Sequence, residues 1–101
     1  MKAYLVKKEI PYTSGDKSIF YKLYIPKNQT YILFSCSYYE FINGSHKFEL
    51  FYTGKIRRPN PKADEIEMPD ETVEKLRELF DQKWKRKARG DLENELEKLL
   101  T

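Results

Sequence analysis

Cysteine and histidine are nearly absent, with one of each in 101 residues. The lone Cys36 excludes an intramolecular disulfide framework. With His46 it offers two soft ligands, short of the four a structural zinc site takes. No uncharged apolar run approaches the roughly 20 residues of a membrane-spanning helix. The opening MKAYLVKKEIPY is interrupted by Lys7 and Lys8 before its apolar stretch reaches signal-peptide length. A glycine-rich phosphate loop, a dinucleotide fingerprint and a Ser-His-Asp set are all missing. These absences point to a soluble cytoplasmic protein with no membrane segment, no metal and no cofactor, and they leave little catalytic machinery to find.

What is present is aromatic and charged. Hydrophobic residues make up 40% and aromatics 15% of the chain, which argues against disorder despite 35% charge. The length suits one domain with a modest core. Charge is divided unevenly. Residues 1–62 hold 11 Lys/Arg against 4 Asp/Glu, a net of +7, and residues 63–101 hold 8 against 12, a net of −4. Of the 15 aromatics, 13 lie in the first part. A basic, aromatic segment is the pairing that nucleic-acid surfaces use for phosphates and bases. Strand propensity alone explains the aromatics but not the +7. The abundance of Lys, Glu, Tyr and Ile suits a thermophilic or archaeal source, or a virus of one.

Residues 2–12 read as a strand followed by the turn Ser14-Gly15-Asp16. Residues 18–25 form a second strand ending at Pro26, and Lys27-Asn28-Gln29 leads into a third over about 30–42. Asn43-Gly44 is a strong hairpin signal, so a fourth strand runs to about Ile56. Arg57-Arg58-Pro59-Asn60-Pro61 is a rigid basic connection, and Glu65-Ile66-Glu67 is a short strand or extended segment. Met68-Pro69-Asp70-Glu71 starts a helix, with proline at its first position and acids in its first turn. The stripe Val73, Leu76, Leu79, Phe80 and Trp84 predicts that this helix continues to about Arg89. Gly90 then breaks it, and Asp91 caps a short last helix bearing Leu92, Leu96, Leu99 and Leu100. The expected fold is α+β: a four-stranded antiparallel meander, one face covered by a long C-terminal helix and a short terminal one.

A two-residue turn at Asn43-Gly44 sets Ile42 opposite Ser45, Glu40 opposite Lys47, Tyr39 opposite Phe48 and Ile32 opposite Lys55. One face then carries Tyr31, Leu33, Tyr39, Phe41, Phe48, Leu50, Tyr52 and Ile56. A three-residue second turn adds Ile19, Tyr21, Leu23 and Ile25, and this is the expected core face. The opposite face carries Phe20, Lys22, Tyr24, Phe34, Tyr38, Lys47, Phe51, Lys55 and Arg57. Aromatics interleaved with cations on an open sheet suit stacked bases and a tracked phosphate backbone. Glu40 and Glu49 on the same face oppose phosphate.

Other constellations have plain explanations. Cys36 lies mid-strand without an activating base and reads as an inert thiol. Asp64, Glu65, Glu67, Asp70 and Glu71 suit a solvated helix start better than a Mg²⁺ site. Asn28-Gln29-Thr30 and Asn43-Gly44-Ser45 match the glycosylation sequon but serve as turn residues. The basic run Lys83 to Arg89 is a solvated helix end or an extension of an electrostatic footprint. The leucines of 92–100 either pack back on the domain or pair with a second copy, and a homodimer through residues 91–100 is the expectation.

Pro69-Asp70 with Asp81-Gln82-Lys83 resembles the Pro-Asp…Asp/Glu-x-Lys signature of restriction-type nucleases, although here the second element falls in a helix. Residues 64–101 resemble a ribbon-helix-helix repressor superficially, but Asp64, Glu65 and Glu67 place acids where that family reads a groove. The whole-chain order, four strands then a helix, is similar to the PC4-like single-strand-binding fold, a likeness of element order alone. The expected function is non-enzymatic binding of single-stranded DNA or RNA. Phe20, Tyr24, Phe34, Tyr38 and Phe51 would stack bases, and Lys22, Lys47, Lys55, Arg57 and Arg58 would meet phosphates. The alternative is a protein–protein module, a small regulator or inhibitor using the same face against an acidic protein surface.

Overall fold

A computed structural model describes residues 1–101 and shows an α+β fold. Its elements are β1 (Lys2–Pro11), β2 (Lys17–Lys27), β3 (Thr30–Glu40), β4 (His46–Ile56), β5 (Asp64–Glu67), α1 (Asp70–Asp81) and α2 (Arg86–Leu100). The strands form one antiparallel sheet in the order β4-β3-β2-β1-β5. The meander is as expected, and the sheet gains a fifth strand. The acidic segment after the Pro-rich connection returns to pair with β1, where Ile66 sits opposite Ala3 and turns its one apolar side chain to the core.

The two hairpin loops at one end share a conformation. Tyr12 N–H donates to the Asp16 carbonyl and Gly15 N–H to the Tyr12 carbonyl, both at 3.0 Å. Phe41 N–H donates to Ser45 at 2.8 Å and Gly44 N–H to Phe41 at 2.9 Å. Each is a three-residue loop whose last residue is left-handed, Gly15 at φ 95° and Gly44 at φ 88°, the geometry of a turn closed by a glycine bulge. Asn43-Gly44 is therefore not a two-residue turn. Glu40 faces His46, and Tyr39 faces Lys47, one residue away from the expected register. A β-bulge opposite Ser35 and Cys36 leaves Phe51 unpaired and restores the expected alignment beyond it, with Ile32 opposite Lys55. The second turn is shorter than expected: Lys27 pairs with Thr30 around Asn28, at φ 55°, and Gln29.

These two turn lengths decide which residues face inward. Because Leu23 lies opposite Phe34, the β2 side chains Ile19, Tyr21, Leu23 and Ile25 share a face with Ile32, Phe34 and Cys36 of β3. The β2 half of the expected core face is correct, and the β3 half is inverted. On β4, Phe48 and Leu50 face the core as expected, while Tyr52 and Ile56 beyond the bulge lie on the other side.

Both helices pack on the core face. α1 follows Pro69, carries Asp70 and Glu71 in its first turn, and buries Val73, Leu76 and Phe80. It ends at Asp81, not near Arg89. Lys83 N–H bonds to Phe80 and Lys85 N–H to Gln82, tightening the chain into a turn, so Trp84 leaves the buried stripe and is 78% exposed. α2 then runs as one helix through Gly90, which sits in open space on its outer side. Leu92 and Leu96 are wholly buried in this chain's core and Leu100 packs against it. That burial uses Leu92 and Leu96 within the chain and leaves Leu99, 38% exposed, as the part of the 91–100 stripe still open to a second copy.

Side-chain ties fix the helices in place. Arg77 of α1 donates to the Pro26 carbonyl at 2.8 Å through Nε, and Lys27 pairs with Asp81. Along the outer edge of β4, Glu93 of α2 accepts the Leu50 N–H at 2.9 Å, and Glu97 lies 3.6 Å from His46. Part of an otherwise open sheet edge is thus covered. No helix is long and apolar enough to cross a membrane.

Candidate nucleic-acid interface

With both helices on one face, the other face of the sheet has no covering element. Alternation and register place Tyr4, Val6, Lys8 and Ile10 of β1 on it, beside Phe20, Lys22, Tyr24 and Pro26 of β2. Tyr31, Leu33, Ser35, Ser37 and Tyr39 follow from β3, then Lys47, Glu49, Tyr52, Gly54 and Ile56 from β4. The Tyr4 and Tyr31 rings meet edge to face across β2, 5.8 Å apart. Beneath them Tyr24 is only 3% exposed, and Leu33 and Ser35 are buried too. The face therefore has a floor of Tyr24, Leu33 and Ser35 and accessible rings at Phe20 and Tyr52, 38% and 51% exposed.

The expected site residues divide four ways. Phe20, Lys22, Tyr24 and Lys47 lie on the open face, with Tyr24 as floor and not as a free platform. Phe34 has no exposure, and its ring meets Phe80 edge to face at 6.4 Å, so it is core and cannot stack a base. Tyr38 packs against the same core and stacks on His46 at 5.5 Å. Lys55 also lies on the helix side, where its charge helps hold the Asp81 carboxyl below its usual range, after the larger effect of the Lys27 hydrogen bond. Phe51 projects at the β4 bulge, and Arg57 and Arg58 are exposed in the connection after β4.

Charges on the open face are partly internally balanced. Lys47 lies 3.7 Å from Glu49, and Lys2 lies 3.8 Å from Glu65. Lys8 and Lys22 take part in no ion pair, and they flank Phe20: Lys8 is directly across from it and Lys22 is two residues along β2. Glu49 and Glu65 are thus each beside a lysine, and Glu67 on the same face is paired with the Met1 amino group. Glu40 is not among them, since it points to the helix side and pairs with Lys17 at 3.7 Å.

One end of the face is held by Asp16. Its carboxylate accepts the Ile42 N–H at 2.8 Å and the Tyr39 hydroxyl at 3.0 Å, bracing one hairpin loop against the other. Those bonds, the backbone one first, hold its carboxyl below the usual range. Cys36 is buried, and desolvation, with Glu93 nearby, pushes its thiol up to about 12, which leaves it protonated and unreactive at neutral pH.

Nothing converges as a metal centre: no three His, Cys, Asp or Glu side chains cluster for one ion. The nuclease-like elements are also separated, because Asp70 and Asp81 stand at opposite ends of α1, about 16 Å apart along its axis. Asp70 is 3.2 Å from the Met1 amino group, and Asp81 pairs with Lys27.

Sequence reasoning missed Tyr4, Lys8, Tyr31 and Tyr52 on this face. The sequence pattern sets no face for β1 and puts Tyr31 and Tyr52 on the core side. The period-two pattern of β1, in which Ala3 and Leu5 are apolar while Lys8 and Ile10 differ, carries only a weak signal for the face. Tyr31 and Tyr52 depend on turn lengths and the bulge. No family model, curated protein or solved structure matches the chain.

Proposed function

We propose that this chain is a non-enzymatic nucleic-acid-binding protein of the cytoplasm that prefers single strands and holds them on its open sheet face. The observation that carries the reading is the group Lys8, Phe20 and Lys22: an accessible ring between two lysines without carboxylate partners, on a sheet face no helix covers. A base stacks on such a ring while the lysines meet flanking phosphates, and every base has a π-face, so the mode tolerates sequence. Single strands are favoured over duplex because stacking on Phe20 needs a base whose face is free, and a duplex keeps its bases paired and stacked. Phe34, Tyr38 and Lys55, which lie on the other side of the sheet, have no part in it.

A protein partner on the same face is the second reading, favoured by the apolar continuity of Tyr4, Tyr31, Leu33 and Ile56. Titrating labelled single-stranded DNA and RNA against Phe20→Ala and Lys22→Ala decides between them. Phe20→Ala is expected to weaken binding about tenfold, as loss of one stacked base does. Lys22→Ala is expected to weaken it across all sequences and to lower the salt dependence by about one phosphate. Native-like affinity in both folded variants contradicts the sheet-face reading.

A further inference from the structure

Trp84 is the chain's one tryptophan, and it stands almost fully in solvent on the turn between α1 and α2. The Lys85 ammonium lies 5.1 Å from its ring centroid. Across from it the β4 bulge projects Phe51, 52% exposed, and the two rings wall a groove of about 380 Å³. Lys83 and Arg89 line the same groove. Neither takes part in an ion pair, nor do Lys85, Arg86 and Lys87 beside them. Thr53 lines the groove too, and its Oγ1 is the one buried side-chain polar atom without a hydrogen-bond partner, an omission that folded proteins rarely leave unexplained. Tyr52 connects the groove to the open face, since it lines the groove while its hydroxyl end lies over Gly54 on that face.

We propose that this groove is a second contact for the same single strand, which crosses the open face, passes over the β4 edge at Tyr52 and places a base against Trp84. Lys83 and Arg89 meet the adjacent phosphates. The inference rests on the single-strand reading of the sheet face. Charge selects the occupant: uncompensated cations beside exposed rings suit a polyanion with stackable groups better than an apolar peptide.

The test uses the full chain and labelled oligothymidylates of about six and about sixteen nucleotides, lengths that bracket the site sizes of sheet-type binders. Anisotropy of the label reports binding anywhere, while Trp84 emission reports the groove alone. The longer oligonucleotide should quench Trp84 with the same midpoint as the anisotropy change. Trp84→Ala should weaken its binding about tenfold, and Trp84→Phe should recover most of the loss. Arg89→Ala, which removes no packed side chain, should reduce the salt slope by about one. Salt-sensitive binding with constant Trp84 emission and native affinity in Trp84→Ala overturns the groove and leaves the sheet face standing. Absence of any anisotropy change at low salt overturns both.

Discussion

Phe34 and Phe20 are chemically identical residues on opposite faces of the sheet, and substituting each separates the core from the candidate interface. Phe34 is wholly buried against Phe80, so Phe34→Ala should cost about 3–5 kcal/mol of stability. Phe20 has a third of its surface free, and Phe20→Ala should cost about 1–2 kcal/mol. Urea unfolding of the two variants measures both. Asp16 gives a second residue-level expectation. Its folded pKa is depressed, so the stability it contributes is present above its unfolded value near pH 4 and is lost as pH falls through the lower folded value. Asp16→Asn should therefore lower stability at neutral pH and flatten the acid limb of the native profile below about pH 4, read as unfolding midpoint against pH. At this scale the sequence was legible where chemistry is local: Cys36 as an inert thiol and Pro69 at a helix start both follow from neighbours in the chain. The face of Phe34 was not legible, because it depends on the length of the Asn28-Gln29 turn five residues away.

Elements were easier to read than their registers. The strands and the acidic start of α1 announce themselves through β-branched runs, turn residues and helix-start chemistry. Register does not, because one residue more or less in a loop inverts every side chain beyond it. Asn43-Gly44 illustrates the limit: the same dipeptide serves a two-residue turn or the end of a three-residue one, and here Gly44 alone is left-handed. The β4 bulge then compensates the shift halfway along the strand, something no alternation pattern encodes. The helices show the opposite error. A continuous apolar stripe through Trp84 suggested one long helix, while Gly90 suggested a break; the chain instead turns before Lys85 and keeps Gly90 inside α2. Since no atom lies within 4 Å of a methyl group placed there, Gly90→Ala should stabilise the protein by about 1 kcal/mol. A thermal melt showing no gain would indicate that α2 is not continuous across that position.

For the whole molecule, both helices occupy one face, and the basic charge of residues 1–62 is left beside accessible aromatics. The acids concentrate in β5, α1 and α2, where several are used internally: Asp81 with Lys27, Glu93 on the Leu50 N–H and Glu95 with Lys75 at 2.9 Å. The net +3 therefore understates the positive potential around Lys8, Lys22, Arg57, Arg58 and the Lys83–Arg89 turn. That distribution, more than the total, is what long-range attraction of a polyanion depends on. It was visible in outline as the +7 and −4 halves, but the grouping of Trp84, Phe51 and Arg89 arises only when α2 folds back along β4. The most direct test of the central claim is the affinity for single-stranded nucleic acid at 50 mM and 200 mM salt. With about four phosphates neutralised, binding should weaken roughly fifty-fold across that range and should favour single strands over duplex at both. An affinity indifferent to salt, or no binding at 50 mM, would contradict the account and turn the open face toward a protein partner.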